Sequence, residues 1–518
     1  MLTSFHSRAQ AEFHPAPSIE PPEEAKLAVS PSLPKDAGCV GTFVGMGEGV
    51  KGAGVDAAFL EAAGFEGKAG QTLVVPHQDG PPLVVVGVGA KAGLDAGRLR
   101  DAAAAFARAV GKQTRLALQL PELGNVPVEL AAQALTEGVL LARYRYRPYK
   151  RQSEQEPPLE SLTLVAGKED TDAVEQGMVR GGIHARATAF ARDLSNAPAT
   201  LLTAARLAEV AEGLAKRCGL EVEVFDGEAL ARLGCGGLLG VNAGSAEPPR
   251  MIKLTYTPQG SKGEAVEPVG RVSLVGKGIM FDSGGLGLKP NDLVHATMKG
   301  DMSGAGAILA AMTALKPLGC RTAVTAYLMC TDNMPSGTAM KLGDVLTVRG
   351  GKTVEVINTD AEGRLVMSDA LVLSTEQSPR PDAIVDIATL TGACQRALGV
   401  LSAGVIGNDQ ALVEQVKDSG ERTGDTVWQL PLDRRLRQEL ESEVADLKNV
   451  GGENAGAITA GLFLEEFVGG LPWAHIDMAG TARAERDNAW RSKGATGYGT
   501  RLLIDFLLGF KPTRETRH

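Results

Sequence analysis

No apolar run in this chain is long enough to cross a membrane: stretches such as Leu83–Ala90 fall well short of the roughly 20 residues a transmembrane helix needs. No two cysteines form a CxxC pair. Cys39, Cys218, Cys235, Cys320, Cys330 and Cys394 are scattered singly, which argues against a disulfide framework and against a thiolate zinc site, and fits a reducing cytoplasm. Histidine is scarce as well. His6, His14 and His518 lie in terminal segments, and His77, His184, His295 and His475 show no HxxxH spacing, so a histidine-built zinc site is not indicated. Aromatic residues are only 4%, which disfavours an aromatic binding surface. A net charge of −9 offers no global attraction for nucleic acid or anionic lipid. The first 24 residues carry one arginine, several prolines and no apolar block; they match neither a signal nor a transit peptide, and a disordered tail is expected over 1–24.

What is present is a chain of 518 residues with globular composition, enough for two or three domains and soluble by expectation. Its 64 glycines suggest many tight βα turns, where chemistry tends to sit. From about Leu27 to Val165 short apolar runs alternate with helix-like stretches. Leu83–Val86, Leu116–Leu120 and Leu162–Val165 read as strands, and Asp101–Val110 and Pro127–Leu141 as helices. Charged, Gln and Pro residues take over at Arg143–Glu160, a linker-like segment, and Ala173–Leu194 reads as a long helix. Asn196-Ala-Pro198 ends it, because proline disfavours helical geometry in the residue before it. Strands are then expected near Val222, Ile252, Val272, Val324, Ile384 and Ile476, with helices at Ala305–Leu315 and Leu365–Thr375. The fold class is therefore α/β with two domains: a smaller N-terminal α/β domain over 25–170, a linker helix over 171–195, and a larger C-terminal α/β domain over 196–518 whose mixed sheet is covered by helices. Ligands in such sheets bind at the carboxyl ends of the strands.

Four carboxylates lie in loops beside these second-domain strands. Lys277, Asp282 and Lys289 share a glycine-rich stretch leaving a strand; Asp301 precedes a helix of small residues; Asp360, Glu362 and Arg364 lie between a strand and a helix. Any one of these loops could be ordinary solvated charge. If the carboxylates converge, each close pair repels by about 4 kcal/mol at 4 Å and an effective dielectric of 20, and cations are the natural means of holding them together. Oxygen-rich ligation suits magnesium, manganese or a carboxylate-held zinc.

The octet Asn358-Thr-Asp-Ala-Glu-Gly-Arg-Leu365 resembles the signature of the leucyl (cytosol) aminopeptidases. So do Gly276–Gly285, Asn333–Thr338, Thr389–Ala393 and Gly494–Gly497, in order, from about Asn196 to Leu508, with weaker likeness through the first domain. The resemblance implies a metal-dependent aminopeptidase that releases N-terminal, leucine-like residues from peptides through two divalent metal ions, manganese or zinc. By that likeness Asp282 and Glu362 bridge the metals, Lys277 and Asp301 complete the tighter site, Asp360 completes the more exchangeable one, and Lys289 and Arg364 are the catalytic pair. Bicarbonate on Arg364 as a proton shuttle and assembly as a homohexamer are further implications, and Met298 with Thr389–Ala393 match the side-chain pocket. Gly287, Gly300 and Ser303 depart from frequent family residues without touching a ligand position. The charges balance: three Asp and one Glu against two dications, if Lys277 is neutral. Removing its proton at pH 7 costs about 4.6 kcal/mol, which an adjacent dication can supply.

Two other signals compete. Gly87-Val-Gly-Ala-Lys-Ala92 fits a dinucleotide-binding turn loosely, with Glu122 too far on for the usual acidic partner, so a structural turn is the better reading. Arg143-Tyr-Arg-Tyr-Arg-Pro-Tyr-Lys-Arg151 interleaves basic and aromatic residues as single-strand binders do. A solvated stretch anchoring one domain on the other accounts for it more simply, and nucleic acid is not the expected partner. A dinuclear hydrolase acting on phosphate esters is the remaining alternative.

Overall fold

The structure, a computed structural model, describes residues 14–19, 24–48, 55–77, 80–149, 156–260 and 263–513. Most of the tail expected over 1–24, and Lys150 and Arg151 of the basic tract, lie outside these residues. The chain divides into two compact units, one of Ser18–Ala189 with Ala484–Gly494, the other of Met1–Pro17, Phe190–Arg483 and Ala495–His518.

In the first unit β1 (Lys26–Ser30), β2 (Cys39–Gly45), β3 (Thr72–Val75), β4 (Leu83–Gly89), β5 (Arg115–Gln119) and β6 (Ser161–Val165) form one sheet in the order β1-β6-β5-β2-β4-β3. Only β3 runs antiparallel to its neighbour. Every residue of β4 is buried, as an unbroken apolar run demands of a strand covered on both faces. The helix Ala96–Ala109 starts where the Asp95 side chain accepts from the Arg98 N–H at 2.8 Å, and it buries an alanine face against Val128–Arg143. Trp490, far away in sequence, completes this core.

The second unit is built on eight strands. These are β7 (Glu221–Phe225), β8 (Arg250–Tyr256), β9 (Gly270–Asp282), β10 (Thr322–Asn333), β13 (Ala383–Ala388), β14 (Ala403–Gly407), β15 (Val427–Gln429) and β17 (Trp473–Asp477). Between them in sequence, β11 (Val345–Thr347), β12 (Thr353–Glu355) and β16 (Leu447–Lys448) form a small separate sheet. The large sheet has the order β15-β14-β17-β13-β9-β10-β8-β7, with β17, β13, β9 and β10 parallel at its centre and antiparallel pairings on either side. It is the mixed, helix-covered sheet the sequence led one to expect, with β14 and β15 as additions. Helices Gly236–Asn242, Glu362–Thr375 and Gly456–Glu465 share one buried cluster with it. Helix Ser303–Leu315, buried along almost its whole length, packs with Ala204–Cys218 and Thr500–Gly509.

Candidate metal centre

The candidate residues gather at the carboxyl ends of the central parallel strands. Lys277 lies inside β9 and Asp282 ends it, an odd separation that would aim the two at opposite faces of a regular strand. The pairing with β10 shows how they meet. From Ile279↔Thr331 to Asp282↔Asn333, β9 advances one residue more than β10, a β-bulge that turns Asp282 back to the face of Lys277. The chain then turns at Gly284, with φ +88°, whose N–H donates to Asp282 Oδ1 at 2.8 Å; Asn333 Nδ2 donates to the same oxygen at 2.9 Å. The loop returns Lys289, placing its Nζ 2.8 Å from Asp282 Oδ2 and 2.6 Å from Asp360 Oδ1.

Asp301 closes the short 3-10 turn His295–Gly300 and receives the Thr389 hydroxyl at 2.6 Å. Glu362 is the first residue of its helix, where the positive end of the macrodipole favours a carboxylate. Between them lies Lys277 Nζ, 2.8 Å from Asp301 Oδ2, 2.8 Å from Glu362 Oε1, and donating to the Thr389 carbonyl at 2.9 Å. Glycine at 363 makes room: a Cβ there would sit 2.7 Å from Lys277 Cε. Arg364 is buried and donates from Nη1 to the Asn449 carbonyl at 2.8 Å. All seven candidates are therefore brought together, and six of them, with Met298 and Thr389, line a cavity of about 490 Å³; Glu362 is the one that does not line it and meets it through Lys277.

Burial dominates the electrostatics. It pushes Glu362 up to about 8, helped by the charge of Asp282, and Asp301 up to about 6 against the pull of Lys277. Asp360 is raised by burial and by Asp282. Burial also works against the ammonium of Lys277, but Asp301, Glu362 and Asp282 together outweigh it and hold the lysine above its ordinary value; Lys289 is held up in the same way by Asp282 and Asp360. Burial lowers Arg364 to about 10. The residues fit a metal group. Asp282, Asp360 and Glu362 present oxygens within 4.8 Å of one another. Among the described residues Glu362 Oε2 is buried without a hydrogen-bond partner, and Asp301 Oδ2, Asp360 Oδ1 and Glu362 Oε1 meet only lysine ammonium groups at ion-pair distance.

Two supporting residues were not singled out from sequence. Asn449 receives the Ile357 and Asn358 N–H groups on Oδ1 at 2.8 and 3.2 Å while its carbonyl holds Arg364, so it ties the signature loop to a distant segment. Nothing in its local sequence marks it. Asn333 stood inside a quoted motif, but its contact with Asp282 depends on strand pairing. The basic tract is largely engaged: Arg143 donates to the carbonyls of Val110 and Pro157, and Arg145 to that of Ala142, with Glu156 nearby. Tyr144 is buried, and nothing favours a nucleic-acid role. The six cysteines are free thiols. Gly87 and Gly89 end a buried strand beside a cavity of about 920 Å³ in the first unit, whose lysine, Lys91, is already paired with Glu48 and Glu122.

A buried, oxygen-rich cluster at the carboxyl edge of a mixed α/β sheet is the architecture of a metal-dependent hydrolase. Residues 189–504 match the cytosol aminopeptidase family's catalytic domain, and residues 52–153 match its N-terminal domain. A probable cytosol aminopeptidase from Alkaliphilus metalliredigens (strain QYMF) is 40% identical over 86% of this chain and 89% of its own length. Another, from Streptomyces coelicolor (strain ATCC BAA-471 / A3(2) / M145), is 40% identical over 92% and 96%. The bottromycin maturation enzyme BotP, solved in complex with Mn, superposes with a TM-score of 0.83 at 38% identity, covering 91% of this chain and 99% of its own. The chain belongs to the cytosol aminopeptidase family. It is accordingly a metal-dependent hydrolase that removes residues from the amino ends of peptides.

Proposed function

We propose that Lys277, Asp282, Asp301, Asp360 and Glu362 hold two divalent cations, and that Lys289 and Arg364 act on the substrate. The observation that carries this reading is the cluster of four carboxylates whose ion pairs, among the described residues, are with Lys277 and Lys289, with Glu362 Oε2 buried and without a hydrogen-bond partner. By family likeness Asp282 and Glu362 would serve both ions, Lys277 and Asp301 one of them and Asp360 the other. When bound, such ions supply Lewis acidity and an acidified water as nucleophile. Manganese is the favoured metal, supported by the Mn complex of BotP, with zinc second. Lys277 must lose its proton to serve as a ligand, which an arginine there could not do.

The peptide's amino group is drawn to the acidic end of the cavity, which limits cleavage to the first residue. Lys289 Nζ stands at the cavity wall beside Asp282 and Asp360, and stabilises the negative charge that develops on the scissile carbonyl oxygen. Arg364 has a buried Nε–H without a partner, so its fork retains donor capacity for a planar anion; bicarbonate there would take a proton from the attacking water and return it to the leaving amine. Met298, Ala479 and Ala482 on the cavity wall support acceptance of leucine-like side chains. Family likeness supports a homohexamer in the cytoplasm, with the catalytic domain over 196–518, the linker helix over 171–195 and the first domain serving assembly.

The test is to strip metal with a chelator, restore manganese or zinc, and compare leucine anilide with an aryl phosphate diester. Anilide cleavage should return and the diester remain intact. No return of anilide cleavage, or undiminished cleavage in Lys289→Ala and Arg364→Ala, would sink the reading.

A further inference from the structure

The cavity that holds the carboxylate cluster carries a second charged feature. Arg396 and Arg483 both line it, both are exposed, and neither has a hydrogen-bond or ion-pair partner among the described residues. Two other exposed arginines of this unit are neutralised, Arg422 by Asp505 and Arg435 by Asp433, each at 2.6 Å. The guanidinium of Arg396 folds back over the pocket wall, with Nη1 3.2 Å from where a Cβ on Gly392 would stand. Arg483 lies close enough to Lys299 for its positive charge to disfavour that lysine's protonated form, after the larger effect of burial. Lys299 Nζ itself meets the Asn196 carbonyl at 2.6 Å and no carboxylate. Like charges held near one another without a counter-ion repel, and an anionic ligand relieves the repulsion.

The cavity carries both signs of charge. Asp282, Asp301 and Asp360 line it, with Lys277, Lys289 and Arg364 among them, and so do Thr389–Gly392, the small residues Ala479 and Ala482, and the two further arginines. An N-terminal residue anchored by its amino group at the carboxylates has its side chain in the same cavity as the two arginines. We propose that Arg396 and Arg483 are specificity-determining residues that admit acidic N-terminal residues such as glutamate. The proposal rests on the aminopeptidase reading of the site and extends its substrate class beyond leucine-like residues.

Glutamyl and glutaminyl anilides differ in charge and little in shape, so their kcat/KM ratio, with leucine anilide as the reference, isolates the effect. In the manganese-restored protein the Glu/Gln ratio should be at least about threefold, as expected of a partly exposed ion pair, and should shrink in high salt. The ratio should fall to one or below in Arg396→Gln/Arg483→Gln and be largely kept in Arg396→Lys/Arg483→Lys, where the charge remains. A ratio of one or less in the unaltered chain, or one unchanged in the double Gln variant, overturns the proposal while leucine anilide cleavage persists. Failure to cleave any of the three anilides overturns the aminopeptidase reading itself. Matching far-ultraviolet circular dichroism of the variants establishes that folding is not the cause.

Discussion

Lys91 in the first unit and Lys277 in the second each stand between two carboxylates at ion-pair distance. Lys91 Nζ is 2.7 Å from Glu48 and 2.8 Å from Glu122; Lys277 Nζ is 2.8 Å from both Asp301 and Glu362. The side chain of the first is 45% exposed and that of the second 4%, and this decides their roles. Water and salt screen the surface trio, whose attraction is worth little. In the buried set the same three charges gain a fourth and fifth neighbour in Asp282 and Asp360, Glu362 Oε2 has no hydrogen-bond partner among the described residues, and burial raises the pKa of Glu362 to about 8. Pairwise geometry alone does not distinguish the buried lysine from the surface one, and cavity size misleads, since the larger cavity belongs to Lys91.

The comparison breaks if crowding Lys277 has no effect. Gly363→Ala sets a Cβ against Lys277 Cε, and kcat/KM for leucine anilide should fall by about a hundredfold, with bound metal reduced, because a displacement on this scale disrupts reactive geometry. Activity within a factor of two of the parent would contradict the packing argument.

Acid–base linkage sharpens the contrast next. Without metal, Glu362 at about 8 and Asp301 at about 6 keep protons in the folded chain that the unfolded chain has already lost. The folded state therefore loses stability as pH rises from about 5 to about 8. Melting temperature of the chelated protein should fall across that window, and manganese-loaded protein should not show the fall. Parallel slopes for the two forms would remove the buried cluster as the source. The smallest effect belongs to the surface trio: Lys91→Ala should leave leucine anilide cleavage and its metal dependence within error, and a clear loss would mean that the first unit's cavity takes part in the chemistry.

Much of this was legible in the sequence because short-range patterns determine it. The apolar run at Leu83–Val86 had to be a buried strand, and the octet at 358–365 carried three charged groups of the site on one strand-to-helix connection. Lys277 and Asp282 were legible as a pair but not as neighbours, since their meeting depends on a bulge visible only in the pairing of β9 with β10. Asn449 and Thr389 act through contacts made across long sequence separations, to Arg364 and to Asp301, and no periodicity encodes such contacts. The segment Ala484–Gly494 belongs with the first unit for a similar reason: Trp490 is buried in that core, and Arg108 donates to the Ala489 carbonyl at 2.8 Å. Local composition around Trp490 gives no hint of this distant partnership.

The central claim is that a buried lysine, deprotonated by the metal it binds, completes a two-ion site. Counting bound manganese per chain by mass spectrometry in the unaltered protein and in Lys277→Arg tests it most directly. The account predicts two ions in the first and loss of metal from the second, because guanidinium keeps its proton; two ions still bound to Lys277→Arg would contradict it.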